Sequence, residues 1–226
     1  MDAESRRTDG AKGGRLSVTE IYASIQGEST HTGRPCTFIR LAGCPLRCRW
    51  CDTTYSFTEG TVMPLAEILD TVASMGINLV EVTGGEPLAQ PGCAALLHAL
   101  CEAGHEVLLE TSGAYPWDGL DRRVRIIADL KCPGSGESHR NLLADLGRLR
   151  ATDELKIVAA DRDDLDWALA RLDDELKDLP STVLWSPVHG ELAPSDLADW
   201  MLSNKAPGRL QIQLHKVLWP QQDRGV

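Results

Sequence analysis

The sequence has no apolar run of the length that spans a membrane, so we expect no membrane partner. Its first residues are polar, and we predict a cytoplasmic protein without a signal peptide. It also has no excess of basic residues, since 23 Lys and Arg stand against 33 Asp and Glu for a net charge of −10. Nucleic-acid-binding surfaces are normally basic, so we expect no nucleic-acid partner.

The composition is that of a globular protein. The chain has 226 residues, of which 42% are hydrophobic and 25% are charged. Residues 1–14 are polar and Gly-rich, and we predict a disordered tail there. Residues 15–226 suit a single domain, and the sequence shows no internal repeat.

The cysteine count is odd, which argues against a framework of disulfide bonds. There are seven cysteines, and three of them fall within eight residues, at Cys44, Cys48 and Cys51. We expect structural, packing roles for the others, which are Cys36, Cys93, Cys101 and Cys132.

Strand-like and helix-like segments alternate along the domain. Predicted strands cover 35–42, 77–82, 105–111, 124–130, 154–159, 182–188 and 209–215. Predicted helices cover 64–75, 91–103, 138–149, 162–177 and a segment from Pro194 to Gly208. This alternation indicates an α/β fold with parallel strands, and about six core strands favour a partial (β/α) barrel with trimmed helices and flanking strands. A doubly wound sheet is the alternative, and in both folds functional loops follow the carboxyl ends of the strands.

A loop rich in cysteine follows the first of these strands, where residues 43–53 read GCPLRCRWCDT. Its C-x3-C-x2-C spacing places three thiolates close together, and thiolates are the ligands that iron–sulfur clusters and zinc prefer. A [4Fe–4S] cluster has four irons, so three local cysteines would leave one iron open to an outside ligand. We therefore predict such a cluster on Cys44, Cys48 and Cys51.

Two alternatives use the same thiolates without catalysis. A structural zinc ion normally has four protein ligands, and no second C-x2-C or H-x3-5-H pair is present, so zinc would need a distant ligand. A cluster used only for electron transfer normally has a fourth cysteine in the run, which is missing here. Both alternatives describe a structural or electron-transfer module rather than an enzyme.

The cysteine loop, with Trp50 before its third cysteine, resembles the cluster loop of the radical S-adenosylmethionine (SAM) superfamily. Residues 83–87 (TGGEP) follow the second predicted strand and are similar to that superfamily's glycine-rich turn. The resemblance implies that SAM binds the open iron and yields a 5′-deoxyadenosyl radical, with glycine present where the backbone approaches SAM closely. The SAM contacts implied are Trp50, Asp52, Gly84, Gly85, Glu86, Asp129, Lys131, Ser186 and Pro187. Ordinary strand-end polarity is the alternative for the last four.

Further resemblance extends from about Thr19 to the end of the chain. It rests on residues 21–28 (IYASIQGE), 38–41 (FIRL), the cysteine loop and the closing 210–216 (LQIQLHK). Together these segments are similar to the 7-carboxy-7-deazaguanine synthase family, the radical SAM lyases of queuosine and deazapurine biosynthesis. That resemblance implies hydrogen abstraction at C6 of 6-carboxy-5,6,7,8-tetrahydropterin, ring contraction and loss of ammonia, with a requirement for Mg²⁺.

The same resemblance implies which residues meet substrate and metal. The full substrate set is Ile25, Gln26, Gly27, Glu28, Arg40, Thr83 and His215. Gln26 and Glu28 suit the polar edge of the pterin, and Arg40 is a fork of donors suited to its carboxylate. Thr53 matches the family's Mg²⁺-binding hydroxyl. Local roles are the alternatives, such as an ion pair for Arg40, a turn cap for Thr53 and a strand-end position for His215.

The resemblance also implies a homodimer and a flavodoxin or ferredoxin as the electron donor. One enzymatic alternative shares the cysteine spacing and the compact size. It is a radical SAM activase that installs a glycyl radical on a partner protein. Such an activase would present a surface for a protein loop rather than a closed pterin pocket.

Overall fold

The fold is built on a nine-stranded sheet, seen in a computed structural model that describes residues 14–226. The tail predicted at 1–14 lies, apart from Gly14, outside the described residues. The strands are β1 (Arg15–Ile25), β2 (Pro35–Leu41), β3 (Thr61–Pro64), β4 (Leu79–Gly84), β5 (Glu106–Thr111), β6 (Arg125–Lys131), β7 (Glu154–Ala159), β8 (Thr182–Pro187) and β9 (Arg209–Leu210). The α-helices are α1 (Leu65–Met75), α2 (Cys93–Glu102), α3 (Leu143–Leu146), α4 (Arg162–Asp173), α5 (Pro194–Asn204) and α6 (Leu214–Leu218). None of the helices in this part of the chain combines the length and the apolar character needed to cross a bilayer.

The order of the parallel strands in the sheet follows the chain. β1 is antiparallel to β2 and β3, whereas β2 and β4 to β9 run parallel, each next to the following one. A doubly wound sheet needs a point where strand order reverses, and the described parallel strands have none. Right-handed crossovers then place the connecting helices on one face, as in a partial barrel. The predicted core of about six parallel strands is confirmed, with the two-residue β9 added at its edge.

Successive side chains of each strand point to opposite faces of the sheet, so that one face of the sheet is apolar and the other is polar. In β4, Val80 and Val82 pack in a hydrophobic cluster with α1 and α2, while Glu81 and Thr83 face the opposite side. Other members of that cluster are Ile39, Leu41, Ile68, Val72, Leu96, Leu97, Val107 and Leu109. Burying such a side chain contributes roughly 1.5–3 kcal/mol, so the helix-facing side stabilises the sheet and the other side can carry polar groups.

Four predicted elements differ from the structure. The helix predicted from Pro194 to Gly208 ends at Asn204. Residues 138–149 form short turns and the four-residue α3, because the Asn141 side chain pairs with the backbone N and O of Lys131, both at 2.9 Å. The strand predicted at 209–215 ends at Leu210, and the chain then leaves the sheet, with Leu214 N donating to Gly27 O at 2.9 Å. Helix α4 ends at Asp173 rather than at 177.

Candidate active site

A cavity of about 640 Å³ opens on the polar face of the sheet. Small-molecule sites typically have volumes of roughly 300–1,000 Å³. The predicted site residues that line it are Ile25, Gln26, Gly27, Glu28, Arg40, Cys44, Cys48, Trp50, Cys51, Asp52, Thr53, Thr83, Gly84, Gly85, Asp129, Lys131 and His215. The structure therefore brings together segments that are far apart in the sequence, as expected for loops and side chains at one end of parallel strands.

Hydrogen bonds to neighbouring turns fix the cysteine loop. At its start, Gly43 N donates to Ser56 O at 2.7 Å, and in its middle Arg49 N donates to Ser135 O at 3.0 Å. The three cysteines of the loop are partly buried, and all three line the cavity. The loop thus presents its three cysteines to one cavity from a backbone that is hydrogen-bonded at two points.

The three thiols fit a [4Fe–4S] cluster better than a single metal ion. Within residues 14–226, no three His, Cys, Asp or Glu side chains are placed to hold one ion, whereas the cysteines of a cubic cluster each bind a different iron. Burial raises the pKa of Cys44 and of Cys48, and on Cys48 the Lys131 ammonium acts in the opposite direction. Metal binding displaces the thiol protons, so the thiolates form together with the cluster.

The glycine turn after β4 packs against the cysteine loop itself. A Cβ on Gly84, whose φ is 133°, would lie 2.2 Å from Leu41 O, and a Cβ on Gly85 would lie 2.2 Å from Gly43 O. Gly85 N donates to Leu41 O, and Glu86 N donates to Gly43 O, both at 2.9 Å. The sequence predicts glycine here for close approach to SAM, and the structure gives a further reason, which is contact with the start of the cysteine loop.

Glu86, a predicted contact of SAM, does not line the cavity. Its side chain is fully buried and accepts hydrogen bonds from Leu88 N at 2.9 Å, the Thr111 hydroxyl at 2.9 Å and Ser112 N at 2.8 Å. These bonds tie the glycine turn to the end of β5. The carboxylate is therefore bound within the protein, and its predicted contact with SAM stays a prediction.

The two SAM contacts predicted at the end of β8 do not line the cavity. Ser186 and Pro187 are buried, and β8 remains paired with β7 through Pro187. The loop that follows begins only after this pairing ends, and Val188 and His189 line the cavity instead.

The loop after β1 reaches into the cavity and is packed in place. Gln26 is nearly fully buried, donates through Nε2 to Glu81, and accepts from Glu28 N at 2.5 Å. A Cβ on Gly27 would lie 2.5 Å from His215 Nδ1, so glycine is required where this loop meets α6. The amide of Gln26 is thus used within the protein, and Glu28 is the member of this segment whose carboxylate is presented to the cavity.

Arg40 lies on the cavity wall with part of its guanidinium already bound. Its Nε donates to Glu20 Oε1 at 2.8 Å, and its Nη2 donates to the Tyr22 hydroxyl at 2.7 Å. The Tyr55 hydroxyl also donates to Glu20 Oε1, at 2.9 Å, and fixes that carboxylate. The ion pair given above as the local alternative for Arg40 is thus present, with Glu20. A guanidinium has five N–H donors, so this ion pair still leaves donors free for the carboxylate of a ligand.

The cavity rim beside the cysteine loop carries Thr53 and residues of α6. The Thr53 hydroxyl does not cap the turn that follows it and lies 3.8 Å from Cys51 Sγ. Asp52 Oδ2 is 2.9 Å from Lys216 Nζ, which joins the cysteine loop to α6. His215 lies on α6 rather than at a strand end, and burial lowers its pKa despite nearby carboxylates, which favours the neutral imidazole at pH 7.

Three charged residues that lie on strands of the cavity wall, Glu81, Glu110 and Lys156, are absent from the predicted set. Lys156 Nζ lies 3.0 Å from Glu28 Oε2 and is hydrogen-bonded to Glu110, which also accepts from the Thr83 hydroxyl at 2.8 Å. The signal that could have found them is a charge inside an apolar strand, as in LVEV, VLLET and ELKIV. Parallel strands buried on both faces are normally apolar throughout, so such a charge indicates a polar cavity.

Comparison with known proteins first gives the class. Residues 38–134, which carry the cysteine loop and the glycine turn, match the radical SAM superfamily. The fold is similar to the crystal structure of QueE from Escherichia coli, with a TM-score of 0.71 and 25% sequence identity over 89% of this chain and 95% of that one. The fold and the site thus define a radical SAM protein, a class that uses a [4Fe–4S] cluster and SAM.

Relatives that match nearly the whole chain identify the family within this class. The 7-carboxy-7-deazaguanine synthase of Chlorobaculum tepidum is 45% identical over 214 residues, which cover 93% of this chain and 97% of that protein. The 7-carboxy-7-deazaguanine synthase of Koribacter versatilis is 39% identical over 226 residues, or 93% of this chain and 100% of that protein. The chain belongs to the 7-carboxy-7-deazaguanine synthase family. The predicted family is confirmed, and these relatives support neither the activase nor the non-enzymatic module.

Proposed function

We propose that this chain converts 6-carboxy-5,6,7,8-tetrahydropterin to 7-carboxy-7-deazaguanine with loss of ammonia, in 7-deazapurine and queuosine biosynthesis. One observation carries the proposal: three partly buried thiols share a single cavity with a wall of fixed carboxylates, an arginine and three lysines. The identity of the substrate is inferred from the family to which the chain belongs. The donors and acceptors of the wall match its chemistry, since a carboxypterin has one anionic group and several N–H groups.

Cys44, Cys48 and Cys51 would hold the cluster and leave its fourth iron for SAM. When bound, the cluster and SAM would supply a 5′-deoxyadenosyl radical for hydrogen abstraction at C6 of the substrate. The surrounding chain would bind and orient these groups. The residues that border this part of the cavity are Trp50, Asp52, Gly84, Gly85, Asp129 and Lys131.

Asp129 supports the placement of SAM beside β6. Its Oδ2 accepts from Lys131 Nζ at 2.6 Å, while its Oδ1 is buried and has no hydrogen-bond donor among the described residues. Lys156 Nζ lies 3.6 Å from Oδ1. Leaving a buried acceptor unsatisfied costs about 1–3 kcal/mol, so a donor on a bound ligand is favourable here, and SAM carries an ammonium and two ribose hydroxyls.

The opposite part of the wall suits the pterin. Arg40, fixed by Glu20 and Tyr22, would bind the substrate carboxylate through its remaining N–H groups. Glu28 would accept hydrogen bonds from N–H groups of the pyrimidine ring, because an ionised carboxylate only accepts. The neutral imidazole of His215 can both donate and accept, and it packs over the loop that carries Glu28.

Mg²⁺ is included in the proposal, with the Thr53 hydroxyl as its ligand from the protein. That hydroxyl lines the cavity and makes no turn cap, so it is available to a cation. Mg²⁺ takes oxygen ligands in an octahedron and usually keeps several waters. A substrate carboxylate held by Arg40 would complete such a site and orient the substrate.

The family resemblance also leads us to propose a homodimer that receives its electron from a flavodoxin or ferredoxin. Size-exclusion chromatography with light scattering tests the first point. Reduction of the cluster by a purified flavodoxin, followed spectroscopically without SAM turnover, tests the second.

The deciding experiment incubates anaerobically reconstituted enzyme with dithionite, SAM, Mg²⁺ and the carboxypterin, and follows 7-carboxy-7-deazaguanine and ammonia by mass spectrometry and a coupled assay. We expect equal amounts of both products. Cys48→Ser should make neither, whereas Cys101→Ala, at a buried thiol of α2 outside the cavity, should retain both. SAM cleavage without conversion of the carboxypterin would refute the proposed substrate.

A further inference from the structure

The wall of the cavity holds one buried ammonium, that of Lys156, to which neither the SAM contacts nor the substrate contacts proposed above assign a function. Lys156 lies within β7, and its side chain is 8% exposed. Its Nζ is 3.0 Å from Glu28 Oε2, is hydrogen-bonded to Glu110 Oε1 and is 3.6 Å from Asp129 Oδ1. Three carboxylates from three separate elements therefore meet at one cation.

We propose that Lys156 is a positioning residue that holds Glu28 and Glu110 together as paired hydrogen-bond acceptors for the N–H groups of the pterin. This role rests on the proposed function, which supplies the pterin. It adds Glu110 to the substrate-facing wall and gives the buried ammonium a purpose beyond packing.

Both carboxylates keep acceptor capacity after their bonds within the protein. Glu28 Oε1 accepts from Gln213 Nε2 at 2.9 Å, and Glu110 Oε2 accepts from the Thr83 hydroxyl at 2.8 Å. An ionised carboxylate has about four acceptor positions, so neither group is saturated. The side chains of Glu28 and Glu110 are 17% and 26% exposed, and both line the cavity. Substrate N–H groups can therefore reach them.

Glu110 depends on Lys156 for its charge. The charged and polar groups that face it are Glu28 from the loop after β1, Glu81 and Thr83 from β4, Asp129 and Lys131 from β6, Lys156 from β7 and His215 from α6. Three of these are further carboxyl groups, and burial also favours the protonated form of a carboxyl. Lys131 is paired with Asp129 at 2.6 Å, so Lys156 is the cation in direct contact with Glu110 among the described residues.

The pKa directions agree with this arrangement. Burial alone would raise the pKa of Glu110, but the charge and hydrogen bond of Lys156, aided by the Thr83 hydroxyl, bring it to about 2. Burial would lower the pKa of Lys156, and the surrounding carboxylates raise it well above its ordinary value. Glu81 is hydrogen-bonded to Gln26 instead, and burial and the Glu110 charge raise its pKa. Across an assay range Glu110 and Lys156 stay charged, and Glu81 holds its proton to higher pH.

The test compares Lys156→Met, which keeps most of the length but not the charge, with Lys156→Arg, which keeps the charge. Lys177→Met removes an exposed lysine outside the cavity and serves as the matched control. KM and kcat for the carboxypterin are measured from about pH 6 to about pH 9. Its Kd for the cluster-containing, SAM-loaded enzyme is measured by calorimetry over the same range, with iron content and unfolding temperature as checks.

Wild type and Lys177→Met should show a KM and Kd that do not change over this range, because Glu110 stays ionised. In Lys156→Met the pKa of Glu110 should rise into the assay range, so KM and Kd should rise by about tenfold as the pH falls from about 8 to about 6, with a smaller change in kcat. Lys156→Arg should bind more weakly than wild type but keep the flat profile, because its charge remains.

A Lys156→Met enzyme that keeps its iron and whose KM and Kd do not change with pH would overturn this role of Lys156. Equal effects of Lys156→Met and Lys156→Arg on KM and Kd would also overturn it, because they would indicate that the side chain acts through packing and not through its charge. Wild-type enzyme that neither binds nor converts the pterin would overturn both proposals. Conversion by wild type with an unperturbed Lys156→Met would remove only the role of Lys156.

Discussion

Gly85 lies so close to the carbonyl of Gly43 that a Cβ at position 85 would be 2.2 Å from its oxygen. The contact is reinforced by the neighbouring hydrogen bond from Glu86 N to Gly43 O at 2.9 Å. Gly43 is the residue before the first cluster cysteine. Two motifs that are separate in the sequence therefore form one packed unit, in which the glycine turn supports the loop that binds the cluster.

Gly85→Ala should destabilise the protein and lower its iron content, because the new methyl group must displace the carbonyl that starts the cysteine loop. Overpacking of this kind costs about 1–3 kcal/mol. Thermal unfolding and iron per chain measure the effect. Gly147→Ala is the control, since Gly147 has φ −64° and its added Cβ would approach nothing closer than 3.5 Å. Wild-type stability and iron in Gly85→Ala would show that the contact relaxes without consequence.

Glu20→Gln should raise KM for the carboxypterin by about tenfold and change kcat less, because a hydrogen bond between charged groups contributes about 1.5–3 kcal/mol. The carboxylate of Glu20 holds Arg40 Nε at 2.8 Å, and its loss frees the guanidinium to turn from the cavity. Glu102→Gln removes an exposed carboxylate that pairs with Arg123, and its kinetics should match wild type. An unchanged KM in Glu20→Gln would contradict the role given to this ion pair.

Thr53→Val should abolish the response of activity to added Mg²⁺, because valine has nearly the same shape and no oxygen ligand. Thr53→Ser keeps the hydroxyl and should keep most of the response. Rates are measured against Mg²⁺ concentration after treatment with a chelator, with iron content as the control for cluster loss. A full Mg²⁺ response in Thr53→Val would place the cation elsewhere.

His31 should make the protein less stable in acid. The side chain is 5% exposed in the turn before β2, and burial lowers its pKa, with help from Arg34 and Arg125 and against Glu106. Because the folded-state pKa is below the unfolded value of about 6.5, the stability from neutral His31 is present above that value and is lost as pH falls through the folded pKa. The unfolding temperature should therefore fall between about pH 7 and about pH 5.

His31→Asn should reduce this pH dependence, as measured by thermal unfolding followed by circular dichroism. His139→Asn, at an exposed histidine, should leave the slope of wild type unchanged. A slope in His31→Asn equal to that of wild type would assign the acid sensitivity to other groups.

Local sequence patterns predict much of this fold. Six parallel strands follow from alternating apolar segments, and the position of the cysteine loop after β2 follows from the rule that functional loops lie at the carboxyl ends of strands. The segment at 138–149 is the counterexample, since its leucines resemble a helix. The pairing of Asn141 with the backbone of Lys131 overrides that local preference, and only the folded chain brings those two residues together.

Some residues of the candidate site can likewise be predicted from local sequence, and others cannot. Ligand types and spacing identify Cys44, Cys48 and Cys51, because the chemistry lies within one short segment. The direction of Glu86 depends on Ser112 N, which belongs to another strand end. The role of Lys156 likewise depends on carboxylates from other elements, and no spacing within β7 encodes them. Local sequence patterns carry no information about contacts between different strands of the sheet, so these two roles could not be predicted from them.

Electron paramagnetic resonance of the reduced, anaerobically reconstituted protein, recorded before and after addition of SAM, tests the central claim most directly. With three cysteine ligands and one open iron, we expect about four irons per chain and a cluster signal that shifts when SAM binds. Zinc in place of iron, or a signal that SAM leaves unchanged because a fourth side chain fills the open position, would contradict the account.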